Sequence, residues 1–389
     1  MRSIRQRACI DIDEFVQPAL RQLDDRRTAM RYCPPMSGSK QHFIPQSLLK
    51  GFGVKRGKST FVVAYTHDRG IFTPATDGIA AERHFYSELG VEGGDETLDD
   101  RITEHETPLA TMLSKLRSLR DGARVDPGEA AAFVTHLAIR NDHFRKAITS
   151  AGARMMDLVA DRFGAADSCR ALLGIDNDHP QGLFAEQLKE AFDQYRPLID
   201  MLGMDRETFD RWAFGRAKSS FATIHKEISG SISGAVMAIS EALPGTAADA
   251  QRRALNEDLV PTKRVEALSA LGWRVTHPSE PLILPDCVAV GFDRNGKGLP
   301  LMMIDREDLY SIVLPIASDR LLVGMVDETA KLTGDLNETM ACCSWDFYVA
   351  RDRTDEFEKL RGALRSLIAP YIDQIVDGAA DGALRDLNS

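Results

Sequence analysis

The chain has no Cys-x-x-Cys pair, and its six cysteines (Cys9, Cys33, Cys169, Cys287, Cys342 and Cys343) are scattered over 389 residues. That spacing excludes a zinc knuckle and a disulfide-stapled scaffold, and the adjacent Cys342 and Cys343 suit neither. Reduced thiols in a cytoplasmic protein are the expectation. Also missing is any run of about 18 apolar residues, the length a membrane-spanning helix needs. The opening Met1-Arg2-Ser3-Ile4-Arg5-Gln6-Arg7 has no continuous apolar stretch behind it and soon meets Asp11, Asp13 and Glu14, which argues against a secretory leader. Positive charge is not in excess either. A formal net charge of −10 weighs against a general nucleic-acid or anionic-membrane coat. Nucleic acid stays open only through a local basic groove, and a protein partner stays open without one. There is no internal repeat, and no GxSxG, HExxH, EF-hand or dinucleotide fingerprint.

What is present is an ordinary globular composition, 43% hydrophobic and 27% charged, in a chain long enough to bury a large core. Residues 1–35 read as an N-terminal extension. It holds a short amphipathic pattern (Ile10, Phe15, Ala19, Leu20) that ends at Tyr32-Cys33-Pro34-Pro35. Met36 is then either a second start or the first residue of the compact domain.

The stretch Lys40-Gln41-His42-Phe43-Ile44-Pro45-Gln46 places an imidazole three residues before a proline, ahead of an apolar helical pattern at Leu48, Leu49 and Phe52. Pro45 suits a first helical turn, and Gly51 and Gly53 stop the helix. His42 therefore sits just outside a helix N-terminus, as a base, a metal ligand or a local cap. The following Gly51-Phe52-Gly53-Val54-Lys55-Arg56-Gly57-Lys58-Ser59-Thr60 imitates a P-loop but fails it. Five residues separate Gly51 from Gly57 and three separate Gly53 from Gly57, where the motif needs four. The next residues, Phe61-Val62-Val63-Ala64-Tyr65, have a strand pattern, and His67-Asp68-Arg69-Gly70 is a hairpin turn into Ile71-Phe72. Ile79 to Tyr86 predicts a helical turn before an aromatic anchor, and 90–98 a polar loop.

A helix is expected from Leu98, interrupted near Pro108, with Glu106 on the apolar face of Ile102 and Leu109. A carboxylate there needs a partner or a proton. From Asp126-Pro127 one long helix is expected to about 164, with His136, Arg140 and His143 in a single stripe. Those groups could bind an anion such as phosphate, or a divalent metal through the two imidazoles; the guanidinium favours the anion. Residues 165–275 read as helical, broken by glycine and serine over 219–240. From Gly272 the pattern turns to strands: Trp273–Thr276, Leu282–Leu284, Val288–Phe292, Ser311–Pro315 and Leu321–Met325. Asp286 falls at a strand end, a usual place for chemistry and equally for a turn. Helices over Asp335–Tyr348 and Thr354–Asp377 close the chain, followed by a small, polar tail.

The His42–Pro45 motif with Leu49 and Phe52 resembles the start of bacterial domain-of-unknown-function family 4238. Ile79-Ala80-Ala81-Glu82 before Phe85-Tyr86, Glu106, Ile139-Arg140-Asn141, Pro281–Asp286, Val313-Leu314-Pro315-Ile316 and Asn337 are similar to later segments of that family. The resemblance covers roughly residues 40–350, with Asp286 followed by Cys287-Val288 where the family has Asn-Pro. It implies a residue list and no established activity.

The fold expected is α+β, a predominantly helical body with a mixed or antiparallel sheet built from N-terminal and C-terminal strands. One body would cover 36–350, with a helical core at about 98–271 and a strand-rich part at about 272–326; 351–389 would add a C-terminal helix and tail. Two functions follow. In one, His42, Glu106, Arg140 and Asp286 form the catalytic cluster of a phosphoester or nucleic-acid hydrolase, with His136 and His143 binding substrate. In the other the cluster is structural, in a non-catalytic binding or regulatory protein such as a component of a stress or antiphage locus.

Overall fold

The His-Pro stretch folds as a strand and a single helical turn. The computed structural model of the chain describes residues 40–86, 98–327, 332 and 334–388. The expected extension over 1–35, Met36 and most of the 90–98 loop lie outside the described residues. The chain divides between two compact units. The first draws on Met1–Lys146 and Ala247–Ala369, the second on Ala147–Thr246 and Pro370–Ser389.

In the first unit, β1 (Lys40–His42) leads through Pro45 into α1 (Gln46–Leu49) and a 3₁₀ turn (Lys50–Phe52). Leu48, Leu49 and Phe52 are fully buried, as their spacing predicts. Arg117 fixes this turn by donating to the carbonyls of Ser47, Leu48 and Ile316. A Cβ on Gly51 would meet that guanidinium and lie 2.7 Å from the Ile316 carbonyl oxygen, a backbone atom, so glycine is needed there for close approach. The mock P-loop is a hairpin of β2 (Val54–Arg56) and β3 (Ser59–Phe61), turned by Gly57 at φ +62°. A second hairpin joins β4 (Val63–Thr66) to β5 (Gly70–Phe72).

The helical turn expected at Ile79–Glu82 is not formed. Instead β6 (Ala81–Arg83) pairs antiparallel with β1, His42 opposite Ala81. Ala80 and His84 bracket it with positive φ, and the Ala80 carbonyl accepts the Phe43 N–H at 3.0 Å. Local periodicity favours a helix here; long-range pairing with the His42 strand overrides it.

Helix α2 (Leu98–Ser118) runs through Pro108 without ending. The long helix expected over 126–164 is two helices, α3 (Pro127–Ile139) and α4 (Asp142–Gly164). Asn141 separates them because its side chain accepts the Phe144 N–H and donates to the Cys287 carbonyl, capping α4. In the second unit, α4 is joined by α5 (Ala166–Leu172), α6 (Gly182–Gln194), α7 (Arg196–Met201) and α8 (Arg206–Glu257). The glycines and serines of 219–240 do not interrupt α8. The core of this unit is aromatic: Phe192, Phe209, Phe214 and Phe221 pack with Cys169, Ile175, Leu188 and Ile199.

The first unit resumes at Ala247 and continues with α9 (Thr262–Ser269), β7 (Gly272–Thr276), β8 (Leu284–Pro285), β9 (Val290–Phe292), β10 (Gly298–Pro300), β11 (Ser311–Ala317) and β12 (Arg320–Met325). α10 (Leu336–Cys343), β13 (Phe347–Ala350) and α11 (Asp355–Leu360) follow, and α12 (Ile368–Asn388) ends the described chain. The fold is α+β with several antiparallel sheets. One has five strands in the order β10-β9-β11-β12-β7. Another, β5-β4-β13-β8, joins N-terminal to C-terminal strands as expected. The expected helix over Asp335–Tyr348 stops at Cys343, and its last residues become β13. The expected Thr354–Asp377 helix is likewise cut, at Arg365 with φ +66°.

Candidate functional site

Arg140, the C-cap of α3, is 1% exposed and carries a guanidinium that cannot lose its proton at ordinary pH. Such a charge must be surrounded by acceptors. Its NH2 donates to the Glu106 carboxylate at 2.7 Å and to the His42 backbone carbonyl at 2.6 Å. Nε donates to the Tyr86 hydroxyl at 3.2 Å, and NH1 to His136 Nε2 at 3.3 Å. The Tyr86 hydroxyl in turn donates to the Arg140 carbonyl at 3.1 Å. Burial works against the arginine's charge, but Tyr86 and Glu106 outweigh it and hold its pKa above the ordinary value. Three segments distant in sequence, at His42, Tyr86 and Glu106, thus converge on one cation, joined by His136 from its own helix.

Each neighbour is fixed by its own contacts. His136 donates from Nδ1 to the Leu259 carbonyl at 3.2 Å, leaving Nε2 as the acceptor for Arg140. Burial, then the adjacent guanidinium, pulls its pKa down to about 3, so the ring stays neutral. His105 stacks on it with centroids 5.8 Å apart. Gln41 accepts the Tyr86 N–H at 2.5 Å and so carries β1 to the same point. The Gln46 amide donates to His42 Nε2 at 3.1 Å. Burial lowers the His42 pKa, partly opposed by Glu106. His42 Nδ1 is buried and has no hydrogen-bond partner. The Glu106 side chain is 38% exposed and forms the open edge of the cluster.

Three of the four residues expected to converge, His42, Glu106 and Arg140, do so; Asp286 does not. Its buried carboxylate accepts the backbone N–H groups of Trp345 (2.9 Å), Asp346 (2.5 Å) and Phe347 (3.1 Å). Burial raises its pKa, opposed by His143 and these N–H donors. None of its hydrogen bonds reaches His42, Glu106 or Arg140. This is also why the helix after Asp335 ends early: three amides that would extend it are bound by a carboxylate. His143 belongs to the same second centre. Because α4 begins afresh after Asn141, His143 leaves the stripe of His136 and Arg140 and donates from Nε2 to the Cys343 carbonyl at 2.9 Å. Lys146 pairs with Asp142 and Asp346, and Arg365 with Asp346 at 2.9 Å.

Among the described residues, no group of three or more His, Cys, Asp or Glu side chains could hold a metal ion, and no helix is long and apolar enough to cross a membrane. Cys169, Cys287, Cys342 and Cys343 are free thiols, and burial raises the pKa of Cys287 and Cys343. Sequence reasoning missed Tyr86 as a ligand of Arg140 and Gln41 and Gln46 as positioning groups. The signal was there: both glutamines flank His42, and Tyr86 closes a buried aromatic pair with Phe85 (4.7 Å).

A family model for proteins of unknown function, DUF4238, matches residues 40–339. No curated protein and no solved structure gives a significant match.

Proposed function

The chain belongs to the DUF4238 family of proteins of unknown function, and we propose that its His42–Glu106–Arg140 cluster is the architectural hub of a non-catalytic binding or regulatory protein. One observation carries this reading. Four of the five Arg140 guanidinium N–H groups go to the His42 carbonyl, Glu106, Tyr86 and His136, and the side chain, 1% exposed, has no face turned to solvent for an anionic substrate. A substrate clamp needs open donors aimed at where charge develops; a buried cation with internal acceptors ties segments together. Asp286 does the same with opposite charge, tying a loop through backbone amides.

A second reading, hydrolysis of a phosphoester or nucleic acid, is favoured by one specific feature. His42 Nδ1 has no protein partner and lies in a ring beside the half-exposed Glu106. An imidazole with one nitrogen uncommitted, next to a carboxylate, is a general acid–base arrangement.

The two readings separate in one panel on the full-length protein: metal content, then cleavage of RNA, DNA and a generic phosphoester, with His42→Ala and Arg140→Ala alongside. The architectural reading expects no cleavage above background and a large fall in melting temperature for Arg140→Ala. Cleavage that disappears in His42→Ala while the melting temperature holds would replace it with the hydrolase reading.

A further inference from the structure

The second unit contains a slot that owes nothing to the Arg140 cluster. It is a half-open groove of about 300 Å³ lined by Met155, Leu158, Val159, Arg162 and Phe163 of α4, Leu172 of α5, and Asp377, Ala380 and Asp381 of α12. The lining from α4 recurs at three- and four-residue intervals, so one face of that helix is turned to the slot. Facing it, α12 contributes the small Ala380 between Asp377 and Asp381. The two helices are bridged by ion pairs, Arg154 with Asp377 at 2.9 Å and Arg162 with Asp381 at 3.5 Å. Arg162, Asp377 and Asp381 line the slot together with the apolar side chains, so its wall is apolar with paired charges set into it. The Phe163 carbonyl is tied by the His225 ring at 2.9 Å.

We infer that this slot is a binding site for a small, uncharged aromatic molecule of two fused rings. Its size and lining argue for that class. An apolar cavity of about 150 Å³ takes benzene; this groove offers about 300 Å³, part of it open to solvent. Phe163 offers a ring face or edge, and Met155 a polarisable sulfur that follows an aromatic outline. Each arginine faces an aspartate, so the wall presents paired charges of both signs and selects for no charged head group. The binding would be hydrophobic and weakly dependent on salt.

Indole is the probe. Calorimetric titration of the full-length protein should give saturable one-to-one binding that changes little between low and high salt. Ala380→Phe fills the slot from α12 and should weaken binding about tenfold or more with the fold retained; should that variant fail to fold, Val159→Phe fills it from the opposite wall with the same expectation. A wild-type titration that never saturates up to the solubility of indole overturns the proposal. So does a folded, filled variant that binds indole as well as the wild type, or an affinity that collapses with salt.

Discussion

The first unit holds two buried charges of opposite sign, and they are satisfied in opposite ways. Arg140 is met mostly by side chains, from β1, α2, α3 and the segment that follows β6. Asp286 is met by consecutive backbone amides of a single turn. The first solution depends on residue type at several positions, the second on chain path at one. A cation held by side chains specifies which segments meet; an anion held by amides specifies where a helix stops.

Breaking that contrast should begin at Arg140. Arg140→Met leaves Glu106, the His42 carbonyl and His136 without their donor, and urea denaturation should show a loss of about 3–5 kcal/mol. Adding Glu106→Gln to it should cost less than the sum of the two single changes, because the carboxylate would no longer be left unpaired. Asp286→Ala comes next, at about 2–3 kcal/mol, through amides that lose a charged acceptor. Its damage should stay local: hydrogen exchange should quicken at 345–347 while amides around His42 keep their protection.

Acid should distinguish the centres as well. His136 is neutral when folded, with a pKa near 3 against 6.5 when unfolded. Between those values the unfolded chain binds a proton that the folded chain does not, so stability is full above 6.5 and falls as the pH drops. The slope from this residue approaches about 1.4 kcal/mol per pH unit. Denaturation at pH 7, 6 and 5 should show it in the wild type and lose it in His136→Gln; an unchanged slope would mean His136 is not the titrating group. The smallest effect is expected at Ala80, held at φ +53° beside the His42 strand. Ala80→Gly should raise stability by about 0.5–1 kcal/mol by relieving left-handed backbone strain, read as a higher melting temperature.

Residues with strong local preferences were legible from sequence. Asp126-Pro127 starts α3 as capping chemistry predicts, with Asp126 accepting the Glu129 N–H at 2.9 Å. Asp335 caps α10 in the same way. The hairpin at His67–Gly70 followed from turn chemistry, and a carboxylate at position 106 stood out on an apolar face. The rest depended on groups that every residue shares. Nothing in a pattern of side chains says that the Trp345, Asp346 and Phe347 amides will go to Asp286, or that the His42 carbonyl will go to Arg140. Asn141 divides two helices through one side-chain cap, which the continuous 3.6-residue period across it conceals.

The β5-β4-β13-β8 sheet also bears on how the protein is made. Tyr65 is the direct neighbour of Tyr348 across it, so β4 leaves the ribosome long before its partner exists. At about 5–20 residues per second, that interval is on the order of fifteen seconds to a minute. The second unit waits too, since it draws on Pro370–Ser389 as well as Ala147–Thr246. The first unit therefore closes only after β13 has emerged and the second only after residues that follow Ala369, and nascent chains stalled before residue 347 should remain protease-sensitive and dependent on chaperones.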